Sequence, residues 1–102
     1  MRVQRIASVK FRRWLNRLKD ERGRAIILSR INRLMEGLPG DVAPVGHGVS
    51  ELRIHFGPGY RIYFHQLSNK TFILLAGGVK NTQRRDIATA QRILADWRSQ
   101  HG

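Results

Sequence analysis

Side chains that can act on a phosphate ester alternate with apolar side chains in the middle of the chain. The alternation runs from Val49 to Phe64 and predicts two strands, each with one buried face. Its polar positions place cationic, imidazole and phenol groups on one face of the sheet: Arg53, His55, Arg61, Tyr63 and His65. Guanidinium groups stabilise charge on phosphate oxygens, and an imidazole can take up or release a proton near neutral pH. The pattern fits a polyanion-binding surface, and it equally fits a solvated sheet face with scattered charges.

The neighbouring segments predict how these two strands are connected and extended. Gly57-Pro58-Gly59 has the composition of a tight turn between them. The run from Phe72 to Ala76 is apolar throughout, as expected for a strand covered on both faces. Three consecutive strands with short turns predict an antiparallel meander. The first eight residues fit an additional edge strand.

Apolar residues at helical spacing predict three helices. The first has an apolar stripe from Phe11 to Leu18, and the second runs from about Arg24 to Glu36. The short link between them predicts a two-helix hairpin that packs its apolar face on the sheet. The segment 40–48 is expected to be a loop, and a C-terminal helix runs from about Gln83 to Arg98. The fold class is therefore α+β, in one domain spanning 1–102.

Lys80 occupies a position that favours anion binding. It follows Gly77-Gly78, which we expect to turn freely or to approach a ligand closely. It precedes the C-terminal helix, whose first turn favours negative charge. A plain surface lysine at a turn is the alternative.

Composition limits the partners and excludes several kinds of site. Nineteen Lys and Arg against seven Asp and Glu give a net charge of +12, mostly from arginine. Nucleic acid is the expected partner, with an acidic protein or an anionic membrane as competitors. No cysteine is present, and the four histidines lack metal-ligand spacing, so we expect neither metal nor cofactor. No apolar stretch reaches the length of a membrane-spanning helix and no signal core is visible, so a cytoplasmic protein without membrane contact is expected.

Two long segments resemble a known family. They are 48–64, GVSELRIHFGPGYRIYF, and 74–90, LLAGGVKNTQRRDIATA. Both are similar to the addiction module killer proteins, a branch of the RelE/ParE superfamily of toxins from bacterial type II toxin–antitoxin systems. The resemblance implies an antiparallel sheet with a two-helix hairpin on one face and a C-terminal helix. It also implies a cognate antitoxin, often a helix-turn-helix protein.

The resemblance implies roles for several residues. Arg61 matches the arginine that contacts the scissile phosphate in the RelE branch, and Lys80 matches a basic residue near the reacting oxygens. Arg53 falls where related strands carry lysines. The chain has no tyrosine after Tyr63, where the RelE pattern has one near the C-terminus. His55 is then the leading candidate for proton transfer, and the expected substrate contacts are Tyr63 (base stacking), His65, Arg84 and Arg85.

The expected activity is metal-independent endonucleolytic cleavage of mRNA on the ribosome. The ribose 2′-OH would attack the adjacent phosphate and leave a 2′,3′-cyclic phosphate. Two alternatives stay open at this point. One is a ParE-like protein that inhibits DNA gyrase without catalysis, and the other is an RNA-binding protein that does not cleave.

Overall fold

The computed structural model describes residues 3–101 and confirms the α+β class. Nine elements follow one another along the chain: β1 (Gln4–Ala7), α1 (Val9–Arg17), α2 (Glu21–Met35), β2 (Val42–Gly46), β3 (Val49–Ile54), β4 (Tyr60–Ser68), β5 (Thr71–Val79), a 3₁₀ turn (Lys80–Thr82) and α3 (Gln83–His101). The strands form a mixed sheet in the order β1-β5-β4-β3-β2. β1 pairs with β5 in parallel, and the other three pairings are antiparallel. Every helix in residues 3–101 is too short or too polar to cross a bilayer.

The sheet separates two apolar clusters. On one face, Phe11 of α1 and Ile27 and Ile31 of α2 pack against Ile62 and Leu74, among other strand residues. On the other face, α3 packs its own apolar stripe on the sheet through Ala90, Leu94 and neighbouring residues. β5 contributes alternate residues to both clusters, which confirms that its apolar run is covered on both faces. Because α3 lies on the face predicted to be polar, that face is only partly open.

The two edges of the sheet are β1 and β2, and only the first of these strands was expected. The expected edge strand exists as β1, although Met1 and Arg2 lie outside the described residues. The expected loop 40–48 is wrong over most of its length, because Val42–Gly46 forms β2 and pairs with β3. Pro44 is tolerated there because an edge strand needs no N–H on its outer side.

The first two helices begin after polar residues that accept hydrogen bonds from their first N–H groups. Ser8 accepts a hydrogen bond from the Phe11 N–H at 3.0 Å, and Asp20 accepts one from the Gly23 N–H at 2.9 Å. The cap at Asp20 starts α2 at Glu21, three residues earlier than expected from apolar spacing. The Tyr60 hydroxyl also donates to Asp20, at 2.7 Å, so the cap joins α2 to β4.

Gly77 and Gly78 form part of a strand, which corrects their expected role as a free turn. A Cβ atom at Gly77 would lie 2.2 Å from the Trp14 ring, and one at Gly78 would lie 1.9 Å from Oδ2 of Asp86. The two glycines therefore let α1 and α3 approach the end of β5 from opposite faces.

Replacing Gly77 by alanine should destabilise the protein by about 1–3 kcal/mol, because the added methyl group displaces the Trp14 ring. Urea unfolding of Gly77→Ala, Trp14→Ala and the double variant gives the coupling between the two sites. We expect the double variant to lose less stability than the sum of the single variants. Additive losses of stability would show that the Trp14 ring is not the reason why position 77 requires a glycine.

Stability should also fall at high pH because of Tyr60. Burial and the bond to Asp20 raise the pKa of Tyr60 from 10.0 to about 12. Since the folded pKa exceeds the unfolded one, the stabilisation is complete below the unfolded pKa and is lost as the pH rises through about 12. Thermal unfolding between these pH values should decline less steeply for Tyr60→Phe than for the wild type. Equal slopes would contradict a role for this phenol.

Candidate active site

The register of the sheet aligns the candidate residues at one end of β3, β4 and β5. Arg53 lies opposite Arg61, and Arg61 lies opposite Gly78. Arg53 and Arg61 therefore share one face. His55 follows the last residue of β3, and its bond to Asp41, which also contacts Arg53, places it beside Arg53. Lys80 follows the last residue of β5 at the same end of the sheet and begins the 3₁₀ turn that leads into α3.

A buried carboxylate holds the two arginines of this face. Glu51 is fully buried, and its Oε1 accepts hydrogen bonds from Arg53 Nε at 2.8 Å and from Arg61 Nη1 at 3.1 Å. Its Oε2 accepts a hydrogen bond from Gln83 Nε2 at 2.9 Å. Glu51 thus ties β3 to β4 and to the first residue of α3, and it fixes the directions of both guanidinium groups.

The surroundings of Glu51 favour its charged form. Burial alone would raise the pKa of this carboxyl, but the hydrogen bonds from Arg53 and Gln83 outweigh it and hold the pKa below its usual range. The hydrogen bond to Glu51 in turn raises the pKa of Arg53. Two guanidinium groups share the Glu51 carboxylate, and Asp41 lies 3.5 Å from Arg53, so the two arginines are balanced by two carboxylates. The positive excess that a phosphate group requires comes from the exposed Lys80 and Arg84 at the same end of the sheet.

His55 forms a pair with a carboxylate that the sequence did not single out. Its Nε2 lies 2.7 Å from Oδ2 of Asp41, at the start of β2. The hydrogen bond from His55 is the main cause that lowers the pKa of Asp41. Arg53 Nη1 lies 3.5 Å from the other oxygen of Asp41. The His55 side chain is 76% exposed, so an oriented imidazole stands at the surface beside Arg53.

The proposed substrate contacts do not all belong to this cluster. Tyr63 is fully buried under α3, which contradicts its expected role as an exposed stacking platform. His65 lies four residues along β4 from Arg61, about 13 Å at ~3.3 Å per residue, and contacts the Gly48 carbonyl. Arg84 and Arg85 are exposed in the first turn of α3, close to the end of the sheet where the cluster lies.

Burial leaves two polar atoms of this region without a well-aligned partner. Among the described residues, Arg61 Nε and the Tyr63 hydroxyl are buried and have no partner with good hydrogen-bond geometry, although the Tyr63 hydroxyl interacts with Glu51. Burial first, and then the charge of Glu51, raises the pKa of Tyr63 far above its ordinary value. The Tyr63 phenol therefore stays protonated near neutral pH, and it lines the site without donating a proton in the reaction.

Sequence reasoning missed three residues that orient the site: Asp41, Glu51 and Gln83. Glu51 had a usable signal, because it is the one carboxylate on the cationic face of β3 and β4. Asp41 had none, since it precedes a strand that was expected to be a loop. In the part of the chain from Val3 to His101, no group of three histidine or carboxylate side chains could hold a metal ion.

Most of the chain matches a family of phage-derived proteins. The family model of phage-derived Gp49-like proteins (DUF891) matches residues 13–95. The chain belongs to this family. The match contains every residue of the cluster just described, and the Gp49-like family is associated with RelE and addiction-module killer toxins. An uncharacterized protein of Haemophilus influenzae is 43% identical over 91 residues, which cover 89% of this chain and 92% of that protein.

Removing the carboxylate of Glu51 should cost about 3–5 kcal/mol, because the buried Arg61 then loses its counter-charge. Urea unfolding of Glu51→Ala measures this loss. Glu36→Ala is the matched control, since Glu36 is exposed at the end of α2. A loss for Glu51→Ala no larger than for Glu36→Ala would show that Glu51 does not hold the arginines.

Proposed function

We propose that this Gp49-like protein is the toxin of a type II toxin–antitoxin system and a RelE/ParE-type mRNA endoribonuclease that needs no metal. One observation carries the activity. Two guanidinium groups and a carboxylate-paired imidazole share one exposed end of a sheet face, in a family associated with killer toxins. These are the groups that transfer of a phosphoryl group to a ribose hydroxyl requires.

In the proposed reaction, the His55 imidazole takes the proton of a ribose 2′-OH. The 2′ oxygen then bonds to the adjacent phosphorus, and the bond from phosphorus to the 5′ oxygen breaks. The Lys80 ammonium gives its proton to the leaving 5′ oxygen. The products are a 2′,3′-cyclic phosphate and a free 5′-OH, and one proton then moves from the His55 imidazolium to the Lys80 amine by way of solvent to restore the site.

The carboxylates act through the groups they hold. Asp41 orients the His55 ring and stabilises the imidazolium that forms during the reaction. Glu51 aims Arg53 and Arg61 at the phosphate. The Arg53 side chain is 35% exposed and can contact the phosphate directly. The Arg61 side chain is only 11% exposed, so it contributes mainly through its positive charge beneath the surface. Positive charge that is preorganised in this way lowers the barrier without reorganisation.

The basic surface around the cluster fits a long RNA substrate. Arg84 and Arg85 follow Gln83, which bonds Glu51, and in this proposal they bind neighbouring phosphates. Exposed arginines elsewhere on the helices, such as Arg12 and Arg33, extend the positive surface, and such contacts suit ribosomal RNA and depend strongly on salt. His65 lies too far along β4 to contact the scissile phosphate and is not part of this proposal.

A cognate antitoxin is the second partner in this proposal. The association of the Gp49-like family with toxin–antitoxin systems supports it. A helix-turn-helix protein with an acidic segment would complement the net charge of +12.

Replacing His55 by alanine should lower the rate of mRNA cleavage by about 100-fold or more, because proton transfer contributes at least that factor. Purified variants are incubated with translating ribosomes, and new 5′ ends and cyclic phosphates are mapped. Asp41→Asn should lower the rate less, because the imidazole stays in place. His101→Ala is the matched control, since His101 is an exposed histidine at the far end of α3.

Cleavage by His55→Ala at the wild-type rate would remove the imidazole from the mechanism. Induction of the wild type in a culture distinguishes the other targets. Filamentation and DNA damage without loss of mRNA would contradict the nuclease proposal and indicate gyrase.

A further inference from the structure

A positively charged groove lies at the outer edge of β5, between α1 and α3. Its volume is about 630 Å³, and Gly77 forms its floor. β1 covers β5 only from Thr71 to Leu74, so this edge is open towards its C-terminal end. The groove contains none of the residues Arg53, His55, Arg61 and Lys80, and it includes Trp14 in its α1 wall.

The backbone of Gly77 faces this groove, beyond the last residue of β5 that pairs with β1. At one end of the groove, Ser8 donates from its side chain to the Leu75 carbonyl at 2.6 Å. At the other end, the Val79 N–H donates to the Thr82 hydroxyl at 3.4 Å, and the single proton of that hydroxyl is shared between the Val79 carbonyl, at 3.2 Å, and Asp86. Because backbone groups alternate in direction along a strand, the N–H and carbonyl of Gly77 point the same way, into the groove.

The walls of the groove carry an excess of positive charge. Four exposed cationic side chains line it: Lys10, Arg13 and Arg17 from α1, and Arg85 from α3. The one carboxylate in the lining, Asp86, is nearly buried and already bonded to the Thr82 hydroxyl at 2.5 Å and to Arg85 at 3.5 Å. The groove thus presents cations along both sides of a backbone donor and acceptor.

We propose that this groove binds an extended acidic segment of a partner protein, which pairs one of its residues with Gly77 and adds a short strand to the edge of β5. A peptide residue supplies both an acceptor for the Gly77 N–H and a donor for the Gly77 carbonyl. A nucleic-acid phosphate supplies acceptors only and leaves the carbonyl unpaired. The neighbouring carboxylates of the segment pair with the arginines of the walls. The proposal does not depend on the nuclease activity, because it concerns binding alone.

Three probes distinguish the occupants of the groove: an octapeptide that alternates glutamate with valine, its lysine counterpart, and octauridylate. The Trp97→Phe variant leaves Trp14 as the one tryptophan, so its fluorescence reports the groove. Heteronuclear NMR follows the Gly77 amide in the same titrations. The acidic peptide should shift the Gly77 amide and slow its hydrogen exchange, and the lysine peptide should not bind.

Charge reversal and backbone methylation test the two parts of the proposal. The double variant Arg13→Glu/Arg17→Glu should weaken the peptide about tenfold or more, because it reverses one wall. Arg33→Glu/Arg92→Glu changes the net charge equally at exposed positions outside the groove and should weaken binding less than about twofold, through long-range charge alone. N-methylation of the peptide at one central residue should abolish binding, because that residue loses its donor to the Gly77 carbonyl.

Three outcomes would overturn the proposal. The first is no binding of the acidic peptide at about 1 mM, the weakest range of specific association. The second is equal weakening by both double variants. The third is octauridylate that shifts the Gly77 amide and displaces the peptide, which would make the groove a nucleic-acid site.

Discussion

The arrangement of the polar end of this protein depends on one buried carboxylate. Glu51 lies between Arg53 and Arg61 and also bonds Gln83, so it joins two strands to the start of α3. A buried charge without partners is costly, and Glu51 is stable there only because three donors surround it. The same bonds fix the directions of the two guanidinium groups, whose charges Glu51 and Asp41 balance. The bonds of Glu51 therefore both join these elements and fix the positions of the two arginine charges.

The position of α3 divides the polar sheet face into a core and a site. Its apolar stripe buries Tyr63 and the inner half of that face. The helix begins near the position where Arg61 and Gly78 lie side by side, so the rest of the face stays uncovered. Asp86 fits over Gly78 because that residue has no Cβ atom. The junction of β5 and α3 thus borders both the cluster around Glu51 and the groove at Gly77. This proximity means that a partner bound in the groove would stand next to any RNA held by the arginines.

The sequence predicted which strand residues share a face of the sheet, but it did not predict which helix covers that face. Alternation placed Arg53, Arg61 and Tyr63 on one face correctly, because period-two spacing is a local property of a strand. It did not predict that α3 would cover Tyr63, since the docking of a helix is determined by contacts distant in sequence. β2 was missed because a glycine- and proline-rich edge strand has the composition of a loop. The roles of Gly77 and Gly78 could not be predicted, because they depend on the positions of Trp14 and Asp86 in the folded protein. The role of Asp41 likewise depends on its distance to His55 in the folded protein.

The central claim is that Glu51 is ionised and held by the two arginines. Carbon-13 NMR of the Glu51 carboxyl during an acid titration measures this most directly. Since its folded pKa lies below the unfolded value, the bonds stabilise the fold above about pH 4.3, the usual glutamate value, and are lost as the pH falls through the folded pKa. The account predicts a Glu51 carboxyl that stays ionised below that pH and takes up its proton together with acid unfolding. A carboxyl that titrates at or above the usual value in the folded protein would contradict it.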